Sequence, residues 1–121
     1  MEIVIPYHLD LAAATIGTEY LPLYRKLRLT EVRLVANVTF AADVSHYITL
    51  SIKNGSDTIA SRATNSLPLT AGVSESLTLS GGEALDFSSL GEITMDLAKT
   101  GTPVPVTDFV LLFVFEPRRA E

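Results

Sequence analysis

The chain has 121 residues, a length that fits one compact domain. Of these residues 47% are hydrophobic and 19% are charged, a composition that disfavours intrinsic disorder. It contains no cysteine, which excludes disulfide bonds and thiolate metal sites. Nine Lys and Arg against fourteen Asp and Glu give a net charge of −5, the wrong sign for a general nucleic-acid-binding protein.

The N-terminal segment, residues 1–29, is predicted to be an arm or edge segment ahead of a β-sandwich domain at 30–121. Apolar residues alternate from Ile3 to Leu11, as in a strand, and a proline at position 22 fits an extended edge segment better than a helix. The segment has no positively charged leader followed by a long apolar run. We therefore expect a soluble protein made in a cytoplasm.

The rest of the chain is predicted to be β structure. Apolar and polar residues alternate over 32–40, 48–52, 77–79 and 93–97, which is typical of strands with one face in water. The phase of this alternation changes at Thr30 and Glu31, which predicts a β-bulge there.

Turn signals separate these strands. Asn54-Gly55 lies between two β runs and is the strongest short hairpin signal. About eight strands at this spacing predict an all-β, antiparallel two-sheet jelly-roll sandwich with an N-terminal arm. An immunoglobulin-like sandwich is the alternative, but its buried Trp and its Cys pair are absent.

The last strand, at 109–115, is apolar on both faces. Either it is a central strand covered by a loop or by the N-terminal arm, or its second face is buried against another subunit. A charge at Leu112 is expected to be severely disruptive, because it would be buried on one face or the other of this strand. The candidate subunit-interface residues are Phe109, Leu111, Leu112, Phe113, Val114 and Phe115.

The chain offers little for catalysis or metal binding. His8 and His46 are its two histidines, and they form no His-x-His pair of the kind that metal enzymes on this scaffold use. Asp43 is favoured as a turn-capping residue, because neighbours along a strand point to opposite faces and form no catalytic relay. Solvated strand faces explain the remaining carboxylate candidates, Glu83, Asp86, Glu92 and Asp96. We expect no enzyme activity, no cofactor and no metal.

One cluster holds four of the nine basic residues. The apolar residues between them favour a solvated edge strand, on which basic side chains prevent sheet-to-sheet aggregation. A surface complementary to an acidic protein partner is the second interpretation, and nucleic-acid contact is the third. The cluster consists of Arg25, Lys26, Arg28 and Arg33.

Three stretches together resemble small jelly-roll proteins of tailed-bacteriophage virions. They are Asn-Val-Thr-Phe-Ala-Ala-Asp at 37–43, Tyr-Ile-Thr-Leu-Ser-Ile-Lys-Asn-Gly at 47–55 and Leu-Ala-Lys-Thr-Gly-Thr at 97–102. The likeness is greatest to head decoration, or cement, proteins, and it is one of strand and turn texture rather than of a fixed signature.

The resemblance implies a non-enzymatic virion structural protein that binds the major capsid protein on the capsid exterior and stabilises the shell. It further implies a homo-oligomer, a trimer, made in the host cytoplasm, with no cofactor, membrane or nucleic-acid partner. Residues 109–115 would then serve self-association, and the four basic residues would contact the capsid. The alternative function is a receptor- or glycan-binding jelly-roll module of a phage tail or head fibre.

Overall fold

The computed structural model describes residues 2–9, 17–23, 25–88, 91–102 and 109–117. Within these ranges lie nine β-strands and a short 3₁₀-helix, Gly82–Leu85, and no helix is long and apolar enough to cross a bilayer. The strands are β1 (Ile3–Leu9), β2 (Gly17–Pro22), β3 (Leu27–Val35), β4 (Tyr47–Asn54), β5 (Asp57–Ala63), β6 (Ser74–Leu77), β7 (Asp86–Phe87), β8 (Glu92–Thr100) and β9 (Phe109–Pro117).

The strands form two antiparallel sheets. The first has the order β1-β9-β3-β6, with β7 also paired to β3, and the second has the order β2-β8-β4-β5. β6 and β7 pair with opposite ends of β3, so they are two halves of one interrupted strand. With these halves counted together, the sheets have the strand order of a jelly roll, which confirms the predicted fold. β1 and β2 lie in different sheets, which excludes the immunoglobulin-like alternative.

Segment 1–29 supplies an edge strand to each sheet, because β1 pairs with β9 and β2 pairs with β8. Alternate side chains of both strands pack against the core, among them Ile3, Ile5 and Leu21. β3 begins at Leu27, so the boundary drawn at residue 29 lies inside a strand. The described part of the segment is therefore integral to the sandwich.

The predicted β-bulge is present in β3. Leu29 lies opposite Phe115 and Glu31 lies opposite Val114, so Thr30 has no partner of its own in the ladder. The Thr30 hydroxyl instead donates a hydrogen bond of 3.0 Å to the Val114 carbonyl. The extra residue resets the alternation, so the apolar residues on both sides of the bulge point into the core.

The core lies between the two sheets and is strengthened by two edge-to-face aromatic pairs. The ring centroids of Phe40 and Phe109 are 5.4 Å apart, and those of Phe87 and Phe115 are 6.3 Å apart. All four side chains are buried. Such pairs add about 0.5–1.5 kcal/mol each beyond the area they bury.

The predicted hairpin at Asn54-Gly55 joins β4 to β5, and Gly55 has a φ of 62°. The Asn54 side chain donates hydrogen bonds of 2.9 Å to the Ala84 carbonyl and 3.2 Å to the Asp86 carbonyl. The hairpin is thereby fastened to the 3₁₀-helix and to β7.

Replacing Gly101 with alanine is expected to lower the free energy of unfolding by about 2–3 kcal/mol. Gly101 follows β8 with a φ of 68°, and a Cβ there would clash with the His46 imidazole and the Ser45 carbonyl oxygen. Gly55→Ala is the control, because Gly55 has a similar φ and no neighbouring atom within 4 Å. Urea denaturation of both variants tests this, and equal losses would contradict the steric explanation.

Candidate interaction surfaces

An apolar patch runs along the outward side of the first sheet. Val110, Leu112 and Val114 point away from the core, and the strand register sets Val4 beside Val114 and Val35 beside Val110. Val114 is nearly buried, Val110 and Leu112 are half-buried, and Val4 on the edge strand is 52% exposed. We call these five residues the β9 face. It is an apolar strip at the centre of the sheet, bordered on β3 by the charged Glu31 and Arg33, which lie beside Val114 and Leu112.

The six predicted interface residues divide between the two sides of β9. Four of them point inward with no exposed surface and belong to the core of their own chain: Phe109, Leu111, Phe113 and Phe115. A second subunit has no access to these four, because alternate residues of a strand point to opposite faces. Leu112 and Val114 lie on the β9 face. β9 is itself a central strand, flanked by β1 and β3.

The basic cluster does not lie on an edge strand, so that interpretation is wrong. β3 is flanked by β9 on one side and by β6 and β7 on the other, and the apolar residues between its basic residues are core residues. Arg28 forms an ion pair of 2.8 Å with Asp86, and Arg33 forms one of 2.7 Å with Glu31.

Arg25 and Lys26 precede β3. Arg25 is exposed and Lys26 is half-buried, and neither forms an ion pair with another residue in the described part of the chain. The structure thus divides the four basic residues into two that are neutralised within the chain and two whose charge is available to a partner.

At one end of the sandwich two loops meet, residues 36–46 between β3 and β4 and residues 64–73 between β5 and β6. The backbones of Phe40 and Leu69 exchange two hydrogen bonds, of 2.8 and 2.9 Å, and further backbone hydrogen bonds join the loops on either side. These contacts hold the two loops as one surface, which we call the loop end.

Arg62 on β5 anchors the loop at 64–73. Its guanidinium donates hydrogen bonds of 3.0 Å to the Leu67 carbonyl and 2.8 Å to the Pro68 carbonyl, and it forms an ion pair with Glu75 on β6. β5 and β6 are edge strands of different sheets. The ion pair therefore joins the two sheets along one open side of the sandwich.

The other open side is joined by Tyr7 on β1 and Glu19 on β2. The Tyr7 hydroxyl donates a hydrogen bond to the Glu19 carboxylate. Burial is the largest cause that raises the pKa of Tyr7, and this hydrogen bond and the negative charge of Glu19 raise it further, to about 12. The phenol therefore stays protonated, and remains a donor, throughout the physiological range.

Asp43 has the predicted turn-capping role. Its carboxylate accepts hydrogen bonds of 2.8 Å from the Ser45 N–H and 3.1 Å from the His46 N–H, and these bonds lower the pKa of Asp43. The His46 Nδ1 accepts a hydrogen bond of 2.9 Å from the Thr102 N–H. His46 thereby connects the loop at 36–46 to the end of β8, whereas His8 lies on β1.

Two of the carboxylate candidates are in ion pairs. Asp86 binds Arg28, and Asp96 binds Lys53 at 2.8 Å and accepts a hydrogen bond of 2.7 Å from Thr18. The bonds from Lys53 and Thr18 lower the pKa of Asp96.

A shallow depression of about 420 Å³ is lined by Asn54, Glu83, Asp86 and Ser88. In the part of the chain that the structure describes, no group of three or more His, Asp or Glu side chains could hold a metal ion. The described features suited to binding are therefore surfaces: the β9 face, the pair Arg25 and Lys26, and the loop end.

The loop end was not predicted from the sequence. A signal for it was present in the composition of residues 36–46 and 64–73. These loops contain exposed apolar residues, and Asp43 and His46 are their only acidic or basic residues. Turn-rich segments of this kind usually carry polar side chains, so the missing charge is the informative feature.

Comparison with known proteins finds one weak structural similarity. No family model matches the chain, and no curated protein matches it. Among solved structures, the chain is similar to a chain in the structure of infectious bursal disease virus, Gx strain, at 12% identity and a TM-score of 0.38. The similarity covers 95% of this chain and 32% of that chain. A similarity at this level carries no argument.

Proposed function

We propose that this chain is a structural protein of a virion, a decoration protein that binds the outside of a tailed-phage capsid and stabilises it. The β9 face is the observation that carries this proposal. A jelly-roll sheet that works alone in water carries polar residues on its outer side, whereas this sheet carries Val110, Leu112 and Val114 at its centre. Such a face fits a protein that functions in an assembly, as the sequence resemblance also implies.

The β9 face supports self-association of the chain, and a trimer is what the sequence resemblance implies. It is formed by three neighbouring strands, and sheets pack face to face through apolar side chains. Burying the half-exposed Leu112 and the exposed Val4 would contribute about 25 cal/mol per Å² of apolar area removed from water.

Arg25 and Lys26 support contact with the major capsid protein. On a chain with a net charge of −5, their unpaired positive charges suit an acidic patch on the shell. A protein that binds the assembled shell but not free capsid subunits stabilises the shell by mass action, and many copies act together. This role requires no cofactor, membrane or nucleic acid.

Co-sedimentation with capsids of the parent virus that lack this chain tests the proposal. We expect the wild type to bind, and Arg25→Ser/Lys26→Ser to bind several-fold more weakly with unchanged folding. Thr58→Glu/Thr78→Glu is the control, because it makes the same net-charge change at exposed positions elsewhere. Absence of wild-type binding would overturn the proposal, and hits on a glycan array in that case would favour the fibre module.

A further inference from the structure

His46 holds the loop at 36–46 against the end of β8 through a hydrogen bond that depends on the protonation of its ring. The Nδ1 atom of His46 accepts a hydrogen bond of 2.9 Å from the Thr102 backbone N–H. A backbone N–H can only donate, so this Nδ1 carries no proton and the ring has its proton on Nε2. The contact therefore exists only while the imidazole is neutral.

The backbone that follows β8 packs closely on this nitrogen. Gly101 precedes Thr102 with a φ of 68°, and a Cβ on Gly101 would overlap the Nδ1 atom of His46. The Thr102 hydroxyl is 3.5 Å from the same atom, at the limit of a hydrogen bond. A proton on Nδ1 would point at the Thr102 N–H, so two donors would face each other and the N–H would lose its acceptor.

The charged groups around His46 favour a second position of the ring once it is protonated. Hydrogen bonds from two backbone N–H groups of its own turn lower the pKa of Asp43, so this carboxylate stays negative where imidazoles titrate and attracts an imidazolium. Lys99 near the end of β8 is exposed, so water and salt weaken its repulsion. Tyr47, which begins β4, is a neutral phenol, and the loop at 64–73 contains no titratable residue.

We propose that His46 is a pH-sensitive latch between the loop at 36–46 and the end of β8. At neutral pH the imidazole binds the Thr102 N–H and the latch is closed. On acidification the ring is protonated, Thr102 is released and the imidazolium is drawn towards Asp43. Because His46 is exposed, it exchanges protons directly with solvent. The latch belongs to the free chain and does not rest on the proposed function.

The release is confined to the side of the loop that faces β8. On its other side the loop is fixed by the two backbone hydrogen bonds between Phe40 and Leu69, of 2.8 and 2.9 Å, and by one of 3.2 Å from the Asp43 N–H to the Thr64 carbonyl. These bonds join backbone groups, which do not titrate in this range. Acid should therefore free one edge of the loop and leave the sandwich folded.

Solvent exchange of backbone amides, followed by NMR from about pH 8 to about pH 5, spans the ordinary titration range of an imidazole and tests the latch. Protection factors remove the intrinsic pH dependence of exchange. We expect His46 to be in the Nε2–H form at the higher pH, and the protection of the Thr102 amide to fall about two- to tenfold as the ring is protonated. The amides of Phe40 and Leu69 should keep their protection.

Two variants separate the hydrogen bond from the presence of a ring. His46→Asn supplies an acceptor that does not titrate, so the protection of Thr102 should become independent of pH. His46→Phe keeps a ring without an acceptor, so this protection should be low at both pH values. His8→Gln is the control, because it removes the other histidine of the chain, and it should behave as the wild type does.

Three results would overturn the latch. In the wild type they are an Nδ1–H tautomer of neutral His46 and a Thr102 protection that stays constant between the two pH values. The third is a Thr102 protection that still falls with acid in His46→Phe, since another group would then control it. None of these results bears on capsid binding, which the co-sedimentation experiment tests separately.

Discussion

Replacing Leu111 with aspartate is expected to unfold the chain, whereas the same replacement at Leu112 should preserve the fold and break the homo-oligomer. Leu111 has no exposed surface and points between the sheets. Loss of a buried leucine costs about 2–5 kcal/mol, and burial of a carboxylate adds to that cost. The sum removes most of the roughly 5–15 kcal/mol that stabilises a domain.

Leu112 is the neighbouring residue, yet it lies on the β9 face. The strand register places it between Pro6 of β1 and Arg33 of β3. An aspartate at this position would lie opposite the Arg33 side chain, so we expect a folding cost within about 1 kcal/mol. The severe disruption expected from the sequence should therefore affect assembly and not folding.

Circular dichroism and multi-angle light scattering distinguish these outcomes. Leu111→Asp should show no cooperative thermal transition, and Leu112→Asp should unfold near the wild-type temperature while scattering as a monomer. A folded Leu111→Asp variant would contradict the inward placement of that residue. A Leu112→Asp variant that keeps the wild-type mass would show that the β9 face is not the subunit interface.

Local features of the fold were predictable because their causes are local in sequence. The β-bulge at Thr30 follows from a change in the phase of alternation, and the hairpin at Asn54-Gly55 follows from residues that tolerate positive φ. Both are present at the predicted positions. The jelly-roll class followed from strand number and spacing.

Strand neighbours were not predictable in the same way, because a strand's own residues do not identify its partners. Basic residues between apolar ones are equally compatible with an edge strand and with a central strand that has one wet face, and β3 is the latter. The alternation of side chains along a strand already placed two of the predicted interface residues, Leu111 and Leu112, on opposite faces. Only side-chain burial in the folded chain, however, shows that Leu111 faces the core and Leu112 faces outward.

The two side-chain links between the sheets were also missed. Tyr7 and Glu19 lie on strands of different sheets, as do Arg62 and Glu75. No spacing rule relates such residues, because each link depends on how the edge strands of the two sheets come together. The contribution of the second link to the free energy of unfolding can be measured by replacing Arg62.

Replacing Arg62 with methionine is expected to lower the free energy of unfolding by about 2–4 kcal/mol. The Arg62 side chain is 10% exposed, so its removal leaves the Glu75 carboxylate and the Leu67 and Pro68 carbonyls without their donor. Arg62→Lys should recover only part of the loss, because an ammonium group cannot reproduce the planar fork of a guanidinium. Urea denaturation with an unchanged m-value measures the difference.

Lys53→Met is the control, because it removes an ion pair with Asp96 in which both side chains are about one-third exposed. Its cost should be about 1 kcal/mol or less, as is usual for ion pairs in water. Arg62→Met should in addition expose residues 64–73 to proteolysis, since those residues lose their anchor. If both variants lose the same stability and the loop stays resistant, Arg62 neither joins the sheets nor anchors the loop at 64–73.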